Sequence, residues 1–176
     1  LADEVACFIY EPLVQGAAGM LMYRAEDLNS LMKICREQGI LMIQDEVFTG
    51  FGRTGKFFAA NHLTEQPDIM CFSKGLTGGT MPMGITTCSN GIYSAFLSDD
   101  HHKTLFHGHS FTANPLACAA ALASMELLLQ KDTQMNINRI TQQNSVFVKT
   151  LSGHPQVENA RHIGTILAFD FKTVQG

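Results

Sequence analysis

The fold is decided by two short stretches, Ile40-Leu-Met-Ile-Gln-Asp-Glu46 and Ile69-Met-Cys-Phe-Ser-Lys74. Each begins with four apolar residues, typical of a buried strand, and ends in polar residues. Their spacing suits one βαβ-type unit of a parallel sheet. Asp45 and Lys74 would then stand at the carboxyl ends of two strands. Open α/β sheets bind their ligands at that edge.

Taken one at a time, Asp45 and Lys74 have a plain interpretation, in which each is a polar residue where a strand reaches the surface. As a pair they match what a pyridoxal-phosphate enzyme needs. The lysine amine holds such a cofactor as a Schiff base and then moves the proton. The carboxylate binds the pyridine nitrogen and keeps it protonated. The pair therefore indicates a pyridoxal-phosphate site.

Strand-like and helix-like patterns alternate along most of the chain. They predict three helices and two further strands, the helices at 24–38, 114–130 and 134–151 and the strands at 5–10 and 85–88. This alternation predicts the α/β class for residues 1–133. We expect residues 134–176 to form a connecting helix and the beginning of a smaller unit, with strands around Thr165–Phe171.

The composition excludes several classes of protein. Apolar residues make up 45% of the chain and charged residues only 16%, which argues against disorder and suggests that some surface is buried against another body. The formal net charge is −4, so we expect no nucleic-acid partner. No apolar run approaches the length of a membrane span, so we expect no membrane partner.

The five cysteines are odd in number and form no CxxC pair, which predicts reduced thiols. Because most lie within apolar runs, we expect them to be buried and the protein to be cytoplasmic. The chain opens on Leu1 within an apolar-leaning segment and stops at Gly176 just after a predicted strand. We therefore expect an internal piece of a longer polypeptide.

Two patterns suggest other functions, and we reject both. Gly50-Phe-Gly-Arg-Thr-Gly55, with Asp68 at a suitable distance, matches the dinucleotide pattern G-x-G-x-x-G, but no clear helix follows it. Phe57 stands where a P-loop needs Ser or Thr. The histidines between His101 and His109 lack metal-ligand spacing, so we expect no metal site.

Ser110 lies just before the predicted helix at 114–130. A hydroxyl and backbone amides at that position could bind a phosphate group. From the local sequence alone, a helix-capping or turn serine explains the residue equally well. Both interpretations stay open at this point.

Three blocks of the chain resemble the class III, fold type I pyridoxal-phosphate aminotransferases, namely Asp45–Gly55, Ser73–Gly79 and His107–Ala121. With Glu11–Gly16 they cover most of residues 5–130, and their joint order and spacing are highly specific. The resemblance implies the large domain of that fold, a mostly parallel sheet with flanking helices, over 1–133. It implies the start of a small C-terminal α+β domain over 134–176.

The resemblance also implies roles for four residues. Lys74 is the Schiff-base lysine and Asp45 the partner of the pyridinium nitrogen, while Val47 packs on a face of the cofactor ring. Ser110 reaches the phosphate of the cofactor bound by the other subunit of a homodimer. Two positions depart from the family pattern, because His109 replaces a proline and Ser110 replaces a threonine.

Within the family, Gln15–Met20 and Lys74–Met81 are most similar to enzymes that transfer an amino group from S-adenosylmethionine to 8-amino-7-oxononanoate in biotin synthesis. The 4-aminobutyrate and ornithine enzymes typically carry glutamate near Ala17. The resemblance puts the glycine-rich phosphate loop before Leu1 and the substrate-carboxylate arginine after Gly176. Two alternatives stay open, another class III ω-aminotransferase with a different donor and, for this chain by itself, a non-catalytic folded core.

Overall fold

A four-stranded sheet forms the centre of the computed structural model, which describes residues 4–172. In chain order the elements are β1 Cys7–Tyr10, β2 Val14–Gln15, β3 Leu21–Met22, α1 Ala25–Glu37, β4 Leu41–Asp45, β5 Ile69–Phe72, β6 Ile85–Cys88, α2 Asn90–Ala95, α3 Pro115–Leu129, α4 Lys131–Leu151, β7 Val157–Ile163 and β8 Ile166–Phe171. Short 3₁₀ turns lie at Ala59–His62, Lys74–Thr77 and His101–Lys103.

The central sheet has the strand order β1-β4-β5-β6. Strands β1, β4 and β5 run parallel, with Ile43 of β4 between Ile9 and Ile69, while β6 runs antiparallel to β5. The mostly parallel arrangement was predicted, and it places the carboxyl ends of β4 and β5 side by side. Asp45 was expected directly after its strand. It is instead the last residue of β4 and pairs with Cys71.

Helix α1 packs its apolar side on this sheet. Leu28, Met32 and Cys35 are buried and recur at the helical spacing that predicted the helix. They join Met42 of β4 in one core cluster. Burying each such large side chain contributes roughly 1.5–3 kcal/mol. This contact fixes α1 across the strand that carries Asp45.

Asp68, immediately before β5, ties α1 to β4 and to the start of α2. Its Oδ1 accepts a hydrogen bond from Arg36 Nη1 at 2.8 Å, and its Oδ2 accepts one from the Met42 N–H at 2.9 Å. Its carbonyl accepts a third from the Ser89 N–H at 2.8 Å. These bonds give Asp68 a structural role, so it is not the ribose-binding acid of the rejected dinucleotide pattern.

The second half of the described chain contains two long helices and a hairpin. Helices α3 and α4 follow the predicted ranges closely, although α4 begins at Lys131, before the expected start at 134. Strands β7 and β8 form an antiparallel hairpin that turns at Gly164. The sequence predicted β8 but not β7.

Large apolar side chains are exposed before α3 and in its first turn, including Phe106 at 84%, Phe111 at 73% and Leu116 at 70%. The composition had predicted surface of this kind. None of the helices within residues 4–172 is long and apolar enough to cross a lipid bilayer.

The prediction of buried cysteines is only partly right. Cys35 is buried in the core, and Cys71 and Cys118 are half-buried. Cys7 and Cys88 are exposed, because they lie on β1 and β6, the two edge strands of the central sheet.

Strands β2 and β3 form a small hairpin joined by residues 16–20, which we call the Gly16–Met20 loop. The Gly16 N–H donates to Glu11 Oε2 at 3.1 Å, and the Met20 N–H donates to the Gly16 carbonyl at 3.3 Å. The Tyr23 hydroxyl donates to the Glu11 carbonyl. Glu11 therefore joins the start of this loop to the chain that follows the hairpin.

Tyr23 makes the fold sensitive to alkaline pH. Burial, assisted by the nearby Glu11 charge, raises the pKa of Tyr23 from 10.0 to about 12. Since this pKa is raised on folding, the contribution of Tyr23 to stability is complete below pH 10 and is lost as the pH rises through about 12. We expect the free energy of unfolding of the full-length protein to fall across that range.

Denaturant unfolding at several pH values measures this loss. Tyr23→Phe should lose less stability across the range than the unaltered protein, because one of the buried phenols is gone. Tyr93 is 58% exposed, so Tyr93→Phe is the matched control and should behave as the unaltered protein does. An equal alkaline loss in the Tyr23→Phe variant would contradict the prediction.

Candidate active site

Asp45 is held in place at the carboxyl end of β4. Its Oδ1 accepts a hydrogen bond from the Val47 N–H at 2.9 Å. The Glu46 N–H donates to the Cys71 carbonyl at 2.9 Å, so the chain after β4 stays bonded to β5. Asp45 is half-buried. The carboxylate therefore has a fixed backbone and one oriented oxygen.

Glu46 is the buried anchor of this turn, and the sequence analysis assigned it no role. It is fully buried and accepts hydrogen bonds from the Gln44 amide at 2.8 Å and the Thr49 hydroxyl at 2.9 Å. It also accepts from the Ala59 N–H at 3.1 Å and the Ala60 N–H at 2.8 Å. A buried carboxylate needs such a full set of donors. Glu46 thus fixes the turn that presents Asp45 and Val47.

Lys74 begins a 3₁₀ turn two residues after β5 and has an unusual backbone. Its φ is +44°, in the left-handed region that a residue with a side chain rarely occupies. Strain of this kind persists where surrounding structure enforces it, and it often accompanies function. The side chain is exposed, and its Nζ lies 5.6 Å from the centre of the Phe48 ring. Within residues 4–172, no hydrogen bond or ion pair engages this amine.

The Lys74 turn rests on two supports. A Cβ added at Gly75 would lie 2.8 Å from Cβ of Phe51, so only glycine fits there without a shift. The Ser124 hydroxyl of α3 donates to the Gly75 carbonyl at 3.1 Å. The Phe51 ring packs edge-on against Phe58 and Phe72, at 5.6 and 6.0 Å between centroids. Helix α3 and an aromatic cluster therefore hold the lysine backbone in its strained conformation.

A cavity of about 650 Å³ opens beside Lys74. Its walls come from the loop around Arg53, the Lys74 turn, and the facing parts of α3 and α4. Asp45 and Val47 are not among its lining residues, so the cavity extends from Lys74 away from the β4 end. Arg53 lies 5.5 Å from the centre of the Phe48 ring. Phe48 is therefore the shared neighbour of both cations, Lys74 and Arg53.

The four predicted site residues fall into two groups. Asp45, Val47 and Lys74 lie at the ends of neighbouring parallel strands, as expected. Ser110 lies in an exposed turn before α3, and no hydrogen bond links it to another residue of the described chain. The Asn114 side chain caps α3 and accepts from two amides of the first turn. Those two amides are therefore already satisfied.

The rejected patterns have structural explanations. The glycine-rich stretch 50–55 forms successive turns, and only a 3₁₀ turn, Ala59–His62, follows within the next residues. A Cβ at Gly50 would lie 2.9 Å from the Glu46 carbonyl, and one at Gly52 would lie 2.7 Å from Ile137. These glycines permit close packing. Across residues 4–172, no group of three or more His, Cys, Asp or Glu side chains is placed to hold a metal ion.

The whole chain, residues 1–176, matches the Aminotransferase class-III family. The chain belongs to the class-III aminotransferases. Its α/β architecture is that of the fold type I enzymes, as the resemblance implied.

Three relatives illustrate the likeness of this class-III chain. Adenosylmethionine-8-amino-7-oxononanoate aminotransferase of Synechococcus elongatus is 46% identical over 175 residues, covering 99% of this chain and 41% of the relative. The crystal structure of the enzyme of that name from Methanocaldococcus jannaschii has a TM-score of 0.90 and 36% identity, covering 97% and 40%. An omega transaminase from Pseudomonas jessenii in complex with PMP has a TM-score of 0.88 and 30% identity, covering 97% and 38%.

The class-III chain therefore spans about two fifths of the length of these relatives.

Proposed function

We propose that the full-length protein containing this chain is a pyridoxal-phosphate-dependent aminotransferase. It transfers an amino group from S-adenosylmethionine to 8-amino-7-oxononanoate and yields 7,8-diaminononanoate for biotin synthesis. One observation carries the proposal, the free Lys74 amine and the Asp45 carboxylate near the carboxyl ends of neighbouring parallel strands. The names of the Synechococcus and Methanocaldococcus relatives support the choice of substrates.

Pyridoxal phosphate fits the donor set of this site. When bound, it supplies an aldehyde carbon that reacts with amines and a pyridine ring that accepts electrons. Lys74 offers a primary amine, and Asp45 offers a carboxylate at the next strand end. The PMP bound by the Pseudomonas omega transaminase is the amine form of the same cofactor and supports this choice.

Asp45 holds the proton of the ring nitrogen. Its Oδ1 is occupied by the Val47 N–H, and no hydrogen bond engages its Oδ2 within residues 4–172. Oδ2 can therefore accept from a protonated ring nitrogen, and the carboxylate charge favours that protonated form. The bond from Val47 fixes the carboxylate in the orientation this contact requires. Val47, half-buried and two residues further on, would pack on the ring face.

Lys74 holds the cofactor and then moves a proton. Its Nζ is exposed beside the Phe48 ring, so the amine is accessible to the reacting atoms. This amine would hold the cofactor and, when free, would act as the base that removes the proton from the donor's α-carbon. The fixed backbone of the Lys74 turn keeps the amine within reach of the cofactor and of this proton.

We propose a cytoplasmic homodimer in which Ser110 completes the site of the other subunit. Ser110 is exposed and lies beside the exposed apolar side chains Phe106, Phe111 and Leu116. A patch of this kind suits an interface between subunits. The hydroxyl of Ser110 would donate to the cofactor phosphate, which is a role that threonine usually has in the family.

Asp45→Asn tests the proposed role of the carboxylate. Asparagine keeps an oxygen for the Val47 N–H but removes the charge, so the fold should be retained while the ring nitrogen loses its proton. We expect the rate of amino transfer by the full-length protein to fall by about 10²- to 10⁴-fold. Asp27 lies on the exposed surface of α1, and Asp27→Asn is the matched control with unchanged activity. Full activity in the Asp45→Asn variant would refute the assignment.

An assay with pure substrates tests the proposed reaction. The full-length protein should form 7,8-diaminononanoate from S-adenosylmethionine and 8-amino-7-oxononanoate. The omega transaminase likeness favours one alternative, an enzyme of the same mechanism that takes another amine. Amino transfer from 4-aminobutyrate or ornithine, with none from S-adenosylmethionine, would select that alternative. For this chain by itself, the absence of a Lys74-dependent absorbance band on mixing with pyridoxal phosphate would support the non-catalytic folded core.

A further inference from the structure

Arg161 of β7 uses all five of its N–H donors. Nε donates to the Met20 carbonyl at 2.9 Å, and Nη2 donates to the Gly19 carbonyl at 2.6 Å. Nη1 donates to the Asn159 carbonyl at 2.6 Å. Both terminal nitrogens also bind the Asp170 carboxylate, at 3.1 and 3.3 Å. Because guanidinium carries five donors and no acceptor, this set is complete.

A β-bulge aims Arg161 at its partners. The pairing of β7 with β8 shifts register between Glu158 and Arg161, and Asn159 has a φ of +51°. Bulges bend a strand and redirect the side chains next to them. Next to this bulge, Arg161 reaches the carbonyls of Gly19 and Met20 while it stays bound to Asp170 of β8.

The two ends of the Gly16–Met20 loop are held by the bond from Gly16 to Glu11 and by packing of Met20 against the core cluster, whereas its apex has few contacts. Ala17, Ala18 and Gly19 are exposed, and Gly19 and Met20 have φ values of +78° and +58°. A Cβ built at Gly19 meets no atom within 4 Å. The Arg161 guanidinium supplies two charge-assisted hydrogen bonds to this exposed apex, which are stronger than neutral ones.

The loop is in packing contact with the candidate active site. A Cβ at Gly16 would lie 3.1 Å from the ring of Phe48, so loop and ring are closely packed. That ring is the surface beside which both Lys74 Nζ and the Arg53 guanidinium lie. Phe48 also packs against the core cluster, so the loop covers one side of this ring. Movement of the loop would therefore loosen the packing of Phe48 beside the Lys74 amine.

We propose that Arg161 is a positioning residue of the active site. Arg161 fixes the Gly16–Met20 loop against Phe48, and the loop and this ring form the surface along which the amino donor reaches Lys74. The inference rests on the proposed aminotransferase function. Arg161 touches neither Lys74 nor Asp45 in the described chain and acts through the loop. It adds to the contact that the turn of the hairpin makes with the Arg53 carbonyl through Thr165.

The test compares Arg161→Ala and Arg161→Lys with Arg139→Ala in the full-length protein. Arg139 lies on the exposed surface of α4 and binds only neighbouring side chains of that helix, so it is the matched control. The first measurement is amide hydrogen exchange of residues 16–20 without substrate. The second is the split between KM for the amino donor and kcat.

We expect Arg161→Ala to speed exchange in the loop by at least about tenfold, because two charge-assisted bonds that oppose local opening are lost. KM for the donor should rise more than kcat falls. Arg161→Lys keeps the charge but cannot span both carbonyls and Asp170, so it should recover only part of each effect. Arg139→Ala should match the unaltered protein.

Lower thermal stability of Arg161→Ala with unchanged loop exchange and KM would overturn the proposal, because Arg161 would then be a structural residue only. An unaltered protein that fails to transfer amino groups would instead refute the proposed function. In that case the loop exchange alone decides whether Arg161 positions the loop.

Discussion

Replacing Lys74 with alanine in the full-length protein should abolish amino transfer, with a loss of at least about 10³-fold in rate. The variant lacks the amine that we propose both holds the cofactor and moves the proton. Among residues 4–172, Lys74 is the only lysine that lines the cavity beside it. The change in cofactor absorbance that follows binding to the lysine should disappear as well. Single-turnover kinetics and absorbance spectra measure the two losses.

Lys33→Ala is the control for this experiment, because Lys33 is exposed on α1, a helix that carries none of the proposed site residues. It should retain full activity and the full absorbance change. A Lys74→Ala variant with the same absorbance change as the unaltered protein would refute the assignment of Lys74. Lys74→Gly should be as inactive as Lys74→Ala but more stable by about 1 kcal/mol, since glycine tolerates a φ of +44°.

Of the substitutions proposed for this protein, Gly164→Ala should cause the largest loss in the free energy of unfolding. A Cβ at Gly164 would lie 2.2 Å from Gly55 N, 2.2 Å from Thr54 C and 2.5 Å from Arg53 O. These are backbone atoms and cannot move aside as a flexible side chain does. The φ of +55° adds strain. We expect the free energy of unfolding to fall by roughly 3–5 kcal/mol, which denaturant titration of the full-length protein would measure.

Gly153→Ala separates the clash from the strain. Gly153 has a φ of +92°, and a Cβ there meets no atom within 4 Å. This variant should lose only about 1 kcal/mol, the cost of the left-handed backbone. If both variants lost the same amount, close packing of the hairpin turn on the Arg53–Gly55 segment would not be the cause.

The central strands and long helices could be predicted because local patterns determine them. The apolar runs that became β4 and β5 are continuous, and α1 has helical spacing. Strand β7 could not be predicted, since its bulge at Asn159 breaks the alternation of apolar and polar residues. Strands β2 and β3 have two residues each and therefore have no detectable period.

Only those residues of the candidate site that lie at the ends of predicted strands could be predicted from the sequence. Asp45 and Lys74 follow apolar runs, so their positions were foreseeable from sequence. Glu46 was not, because three of its four donors, Thr49, Ala59 and Ala60, come from turns whose geometry no local pattern encodes. Arg161 binds carbonyls in a loop far earlier in the chain, and backbone acceptors leave no sequence signal.

The contact between Arg161 and Met20 joins residues 141 positions apart, so it also has a consequence for synthesis on the ribosome. A chain emerging from its N-terminal side can form β1, β4, β5 and the Lys74 turn before β7 has been made. The Gly16–Met20 loop then lacks its hydrogen bonds to Arg161 until the β7–β8 hairpin has been synthesised, because contacts between residues so far apart in sequence form late. In chains arrested before residue 161, Lys74 would therefore already be in position, but the Gly16–Met20 loop beside the site would not yet be fixed.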